Sequence, residues 1–275
     1  MRVPPKVPYS VSNVVTRASM VNDLNRFDLP EDAAVCVHSA MKRIGYVVGG
    51  VQAVVEALLE WAGTHGTIMM PAYSGDISDP AEWRFPAIPE DEIEFVRSQV
   101  FPFDEKNTPT RFMGAVAEYF RTYPGTIRSA HPQSSFTANG RDAERLLAGH
   151  ELNFRFGASS PLGNLCRLGG YVLLLGAPYN TVSLFHLVRT FLPDQDKVVK
   201  RYPIKDVEGV HWVEAEDFEY PVTWFDDGVD FLISGGIAKV ANVGECRAVL
   251  IPAREAVIAL VEWLGGDTKA VRGLR

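Results

Sequence analysis

Residues Tyr171-Val172-Leu173-Leu174-Leu175 form an unbroken apolar run that stops at Gly176-Ala177-Pro178. An apolar run without alternation reads as a strand buried on both faces, as in a parallel sheet covered by helices. It is followed by Tyr179-Asn180-Thr181-Val182-Ser183-Leu184-Phe185-His186. Asn180 or Thr181 is the expected cap of a helix there. His186 then falls in its first turns, beyond the carboxyl end of a central strand. Open α/β sheets carry their chemistry at that edge, and histidine is suited to moving protons near neutral pH. On this segment alone, a packed or solvated helix histidine is the simpler reading.

The rest of the chain supplies the cover. Residues 12–26 read as a helix with Val14, Ala18, Val21 and Leu24 on one face. Residues 33–37 read as a buried strand, 51–61 as an amphipathic helix, and 67–70 as a strand stopped by Pro71. This is βαβ grammar, which implies a parallel sheet with helices on both faces. Residues 72–112 break the rhythm with five prolines (80, 86, 89, 102 and 109) and many charges. So long an irregular stretch is usually a functional excursion across one face. Helices resume at 113–121 and 141–150, and Ser160-Pro161 opens another with a cap and a first-turn proline. A strand at 247–251 and a helix at 252–264 close the pattern. No repeat or linker is visible, so residues 1–275 are expected to form one domain.

Composition excludes several classes. No apolar run approaches the roughly 20 residues of a membrane span. The start, Met1-Arg2-Val3-Pro4-Pro5-Lys6, leads into no signal-type stretch, so a cytoplasmic protein with no membrane partner is expected. Cys36, Cys166 and Cys246 are odd in number and far apart. That argues against a disulfide framework and a thiolate metal site, and fits a reducing compartment. A net charge of −7 makes nucleic acid a poor partner. The acids cluster at 90–94 with Asp104 and Glu105, and at 214–219 with Asp226, Asp227 and Asp230. Most of these suit a solvated surface; the functional alternative is an acidic wall that attracts a cationic ligand.

Three strand ends converge on one edge: His38-Ser39, then Pro71 to Asp76, then Gly176 to His186. Behind the first, Lys42, Arg43, Gly45, Tyr46, Val47, Gly49 and Gly50 make a basic, glycine-rich path into a helix start, which suits a phosphate. An ordinary glycine-rich turn fits equally well. Arg128-Ser129-Ala130-His131-Pro132 holds a turn histidine; His65 and His150 read as structural or solvated, and His211 has no evident partner. There is no Gly-x-Ser-x-Gly elbow and no His-Glu-x-x-His. A Ser39–His186 hydrolase stays open on geometry.

Taken in order, these segments resemble the aminoglycoside 3-N-acetyltransferase family from about His38 to Leu264. The matching pieces are Val37-His38-Ser39 with Gly45 and Gly49-Gly50, Gly66-Thr67 with Met70-Pro71, and Asp79-Pro80 with Trp83. They continue through Thr108-Pro109-Thr110 with Met113-Gly114, Phe120-Arg121 with Pro124-Gly125, and Arg128-Ser129 with His131-Pro132. Ser160-Pro161-Leu162 and Leu173-Leu174-Leu175-Gly176 with His186 complete the series.

The resemblance implies a three-layer α/β/α fold, distinct from the general N-acetyltransferase superfamily, with a central, mostly parallel sheet. It implies acetyl transfer from acetyl-CoA, as cosubstrate and without a metal, to the 3-amino group of a 2-deoxystreptamine aminoglycoside, and so antibiotic resistance. His186 occupies the catalytic histidine position. Acetyl-CoA is expected against His38, Ser39, residues 42–50, Thr108, Thr110, Met113, Gly114 and Ser129. The acceptor is expected against Tyr73, Asp76, Asp79, Trp83, Asp104, Glu214 and Glu216. A homodimer stays open. The chemistry agrees: a protonated amine must lose a proton before it attacks a thioester, and a histidine can take it. The family often has Glu three residues after the histidine, where this chain has Arg189. An arginine cannot accept a bond from imidazolium and tends to lower its pKa. Glu216, Asp217 or Asp76 is then the acid expected to orient His186. The alternatives are transfer to a different amine on the same fold, or a non-catalytic CoA- or drug-binding protein.

Overall fold

A computed structural model describes residues 13–193 and 196–274. Residues 1–6 and the expected helix start at residue 12 lie outside them. Eleven strands and eleven α-helices are assigned among the described residues. The strands are β1 (Val14–Val15), β2 (Ala34–Ser39), β3 (Tyr46–Val47), β4 (Thr67–Pro71), β5 (Ile127–Arg128) and β6 (Phe136–Gly140). They continue with β7 (Tyr171–Leu175), β8 (Lys197–Asp206), β9 (Gly209–Phe218), β10 (Lys239–Val243) and β11 (Cys246–Pro252). The helices are α1 (Arg17–Leu24), α2 (Met41–Ile44), α3 (Gly50–Ala62), α4 (Ile93–Gln99), α5 (Gly114–Arg121) and α6 (Ala143–Leu147). After them come α7 (Pro161–Arg167), α8 (Leu184–Arg189), α9 (Phe225–Ser234), α10 (Ala253–Trp263) and α11 (Lys269–Arg272).

Seven strands form the central sheet in the order β10-β11-β7-β2-β4-β6-β5. The three middle strands, β7, β2 and β4, run parallel. The outer strands pair antiparallel, so the parallel character belongs to the centre, where the chemistry is expected. The pleat sends alternate residues to opposite faces. Val172 and Leu174 of β7, with Cys36 of β2, pack into the layer of α6, α7, α8, α9 and α10. Leu173 and Leu175, with Val35 and Val37, pack against α1, α3 and α5. These side chains are buried on both faces, which gives the three-layer α/β/α arrangement. Each fully buried Leu or Val contributes roughly 1.5–3 kcal/mol relative to exposure.

Two local expectations shift. Pro71 does not lie beyond the end of β4 but is its last residue, paired with Phe136 of β6. Of the helix expected over 12–26, the described residues 13–26 are not one continuous helix: Val14–Val15 pair with Tyr46–Val47, and Thr16 then caps α1 through a capping box with Ser19. The 72–112 excursion carries short 3-10 turns and α4. It is pinned by Arg97, which donates to both oxygens of buried Asp79 at 2.7 and 2.9 Å. The β8–β9 hairpin leans on it: Trp212 Nε1 donates to the Arg97 carbonyl at 3.3 Å, and Lys200 pairs with Glu82 at 3.2 Å.

Candidate active site

The parallel register sets His38 opposite Leu174 and Ser39 opposite Leu175. Ala40 N–H still bonds the Leu175 carbonyl at 3.0 Å. The strands then part at Gly176, whose φ of +67° and 3.0 Å clearance to the β-carbons of Arg43 and Cys246 leave no room for a side chain. A cavity of about 360 Å³ opens there. Its walls come from Val37, His38 and Ser39 of β2, Pro71 and Tyr73 at the end of β4, and Ala177, Ser183 and His186 after β7. Met113 and Gly114 close it at the start of α5. This is the crevice where an open sheet binds ligands.

Helix α8 begins two residues later than the expected caps allow. Asn180 and Thr181 sit in a 3-10 turn, and Ser183 occupies the N-cap position. The Ser183 side chain makes no capping bond to the helix. It accepts instead from Tyr73 Oη at 2.7 Å. The Ser183 N–H lies 3.5 Å from His38 Nε2. Burial pushes the His38 imidazole down to about 4, so it is neutral at pH 7.

His186 is the third residue of α8 and half-buried. Phe156 stacks on its ring, with 4.6 Å between centroids and 18° between planes. Tyr220 meets it edge-on at 5.3 Å, and Phe225 flanks it at 5.2 Å. Its Nδ1 is buried and has no hydrogen-bond partner among the described residues. Burial, then the charge of Arg155, then His38 hold its pKa down to about 3. The cation that acts on the imidazole is thus Arg155, not the Arg189 that the sequence pattern singles out. Arg189 Nε is buried with no partner among the described residues.

The acids expected to orient His186 are engaged elsewhere. Asp217 is fully buried and accepts from Arg155 at 2.7 Å, Tyr220 Oη at 2.7 Å and Phe218 N–H at 2.9 Å. Glu216 is exposed and pairs with Lys197 at 3.3 Å. Asp76 pairs with Arg111 at 3.1 Å. Nothing in the periodicity of residues 151–160 marks Arg155 or Phe156; a cation between two aromatics, Phe154-Arg155-Phe156, is the one available hint.

The expected cofactor and acceptor residues divide between two places. His38, Ser39, Tyr73, Met113 and Gly114 share the cavity with His186. Asp76, Trp83, Asp104 and Thr108 line a second cavity of about 640 Å³ in the excursion. Residues 108–114 contribute to both cavities, held by Arg111 N–H to the Tyr73 carbonyl at 2.7 Å. The others lie outside both. Lys42 is exposed on α2. Gly45 bends under Glu245, Tyr46 and Val47 pair with β1, and Gly49 and Gly50 open α3. Thr110 N–H bonds Glu118 at 2.9 Å. Ser129 is buried, bonding His150 Nδ1 and the Phe136 N–H at 2.9 Å each. Asp79 is held by Arg97, and Glu214 pairs with Arg201 at 2.8 Å. His211 has a partner after all, Asp206 at 3.5 Å.

The aminoglycoside 3-N-acetyltransferase family model matches residues 36–265. The chain belongs to this family. The SPbeta prophage-derived aminoglycoside N(3')-acetyltransferase-like protein YokD of Bacillus subtilis is 36% identical over 270 residues, 97% of this chain and 99% of the relative. Aminoglycoside N(3)-acetyltransferase III of Pseudomonas aeruginosa is 32% identical over 258 residues, 90% and 93% of the two chains. The crystal structure of YokD aligns with a TM-score of 0.90 at 34% identity, covering 94% of this chain and 97% of that one. A binary complex of AAC-IIIb with CoASH gives 0.81 at 29% identity, covering 92% and 97%. In this chain the wall around His186 is made of aromatic rings, with an arginine behind them and, among the described residues, no carboxylate on Nδ1.

Proposed function

We propose that this protein transfers an acetyl group from acetyl-CoA to the 3-amino group of a 2-deoxystreptamine aminoglycoside, with His186 as general base. One observation carries the reading: His186 sits at the carboxyl edge of the three parallel strands, in the wall of the cavity it shares with His38, Tyr73 and Ser183. Acetyl-CoA supplies the activated acetyl thioester. Val37, Pro71, Ala117 and Ala177 make part of the cavity wall apolar, which suits an acyl arm. Exposed Lys42 and the start of α3 at Gly50 are a basic and a helix-terminal feature that would suit its phosphates.

His186 is neutral across physiological pH, so its lone pair is available. Because Nδ1 is enclosed, Nε2 is the nitrogen that takes the proton of the attacking amine. So weak a base removes that proton as the carbon–nitrogen bond forms rather than before it. The imidazolium then returns the proton to the departing sulfur. The hydroxyl pair Tyr73–Ser183 supplies a donor for charge growing on the carbonyl oxygen. Asp76, Asp104 and Trp83 of the excursion offer a rim for a cationic sugar.

A second reading, transfer to a less highly charged amine, is favoured by the pairing of the expected acceptor acids: Asp76 with Arg111, Asp79 with Arg97, Glu214 with Arg201 and Glu216 with Lys197. A thiol-release assay over a panel of aminoglycosides and simple amines separates the two. Release with 2-deoxystreptamine drugs supports the first; release with other amines alone replaces it with the second. Tight CoA binding with no release from any acceptor would point to a non-catalytic protein.

A further inference from the structure

We propose that Arg155, Asp217 and Tyr220 form a positioning clamp that fixes His186 through the aromatic rings packed on it, with no carboxylate bonded to Nδ1. The inference rests on His186 being the base. His186 has no hydrogen bond at Nδ1, so nothing polar on α8 fixes the tilt of its ring. Contact with two aromatic rings does: Phe156 lies along one face, and Tyr220 abuts edge-on. Those rings are themselves held by one buried ion pair. The Arg155 guanidinium lies 5.2 Å from the Phe156 ring centroid and 5.1 Å from that of Tyr220. Its Nη1 donates to Asp217 Oδ2 at 2.7 Å, and Tyr220 Oη donates to Asp217 Oδ1 at 2.7 Å.

The three residues come from separate parts of the chain: the loop before α7, strand β9, and the turn after it. Asp217 is wholly enclosed, and the Arg155 side chain keeps only 15% exposure. A buried pair of this kind is a poor source of stability but a good source of fixed geometry. It is stationed where geometry matters, since a displacement of about 1 Å at a catalytic group can cost on the order of 100-fold in rate. The pair also sets the charge around the base. Arg155 opposes imidazolium formation, and Asp217 offsets Arg155. The other titratable or charged groups around the ring are His38 at the end of β2, Tyr73 after β4, Tyr220 itself and Arg189 on α8.

The test compares Tyr220→Phe, Tyr220→Leu and the charge-neutral double variant Arg155→Met/Asp217→Asn, each verified as folded by circular dichroism. Two measurements are made: steady-state thiol release, and the NMR titration of the His186 imidazole. Tyr220→Phe keeps the ring and loses the tether, and kcat should fall about threefold to tenfold; Tyr220→Leu loses the ring and should fall further, by about 100-fold. KM for acetyl-CoA should stay within about twofold in both, since the clamp acts through the base. The double variant removes the facing cation, so the His186 titration should move up by about one pH unit or more. Unchanged kcat in Tyr220→Leu together with an unchanged titration in the double variant would overturn the clamp. A shifted titration with unchanged kcat in Tyr220→Leu would also overturn the clamp if His186→Ala is inactive, whereas full turnover in His186→Ala would instead remove His186 as the base.

Discussion

Phe156 lies almost parallel to His186, 18° between planes and 4.6 Å between centroids. The contact joins a loop with no regular structure to helix α8, which follows β7. The imidazole is therefore held by packing, and what disturbs the packing should disturb the chemistry.

Replacing Phe156 by leucine keeps an apolar side chain at a buried site while removing the stacking face. Stability should fall by about 1–2 kcal/mol, and kcat by about tenfold through a loosened His186. Urea midpoints and thiol-release rates on the same preparations check both. A stability loss without a rate loss would separate the packing from the chemistry.

The excursion should depend on Arg97 far more than on its surface pairs. Arg97→Met strands the buried Asp79 carboxylate, which costs about 3–5 kcal/mol. Asp76→Ala breaks a pair whose side chains are 66% and 50% exposed and should cost less than about 1 kcal/mol. Limited proteolysis reads the difference: cleavage within 79–101 should rise sharply in the first variant and little in the second.

Acid should unfold the protein through His131 and His150. Their rings lie 4.8 Å apart. Burial lowers both: His150 to about 4, and His131 well below its usual value, with His150 adding to the effect. The unfolded chain titrates near 6.5. Between those values the unfolded state binds more protons, so stability rises with pH across the window and is lost as pH falls from about 6.5 towards 4. Denaturation midpoints measured from pH 7 to pH 4 should fall steadily. In His150→Gln the fall should be shallower.

The sheet was legible because its central strand leaves no alternative. Five apolar residues with no alternation need cover on both sides, and the helices at 51–61 and 252–264 have the spacing to give it. His38, Ser39, Tyr73 and His186 were legible as a group because each lies at the end of a strand or beyond it on the same edge. Arg155, Phe156 and Tyr220 were not. They lie in turns without periodicity, and their partnership depends on the β8–β9 hairpin folding back. Asp217 was legible as an acid near the site but not as a partner of Arg155, because an ion pair across 62 residues leaves no local pattern.

Whether His186 takes the proton of the acceptor amine is read most directly from the rate of thiol release by His186→Ala. The measurement uses an acceptor that the wild-type protein acetylates, with the fold of the variant verified by circular dichroism. With His186 as the base, kcat falls by about 100-fold to 10,000-fold while KM for acetyl-CoA changes little. Turnover at the wild-type rate would contradict that role.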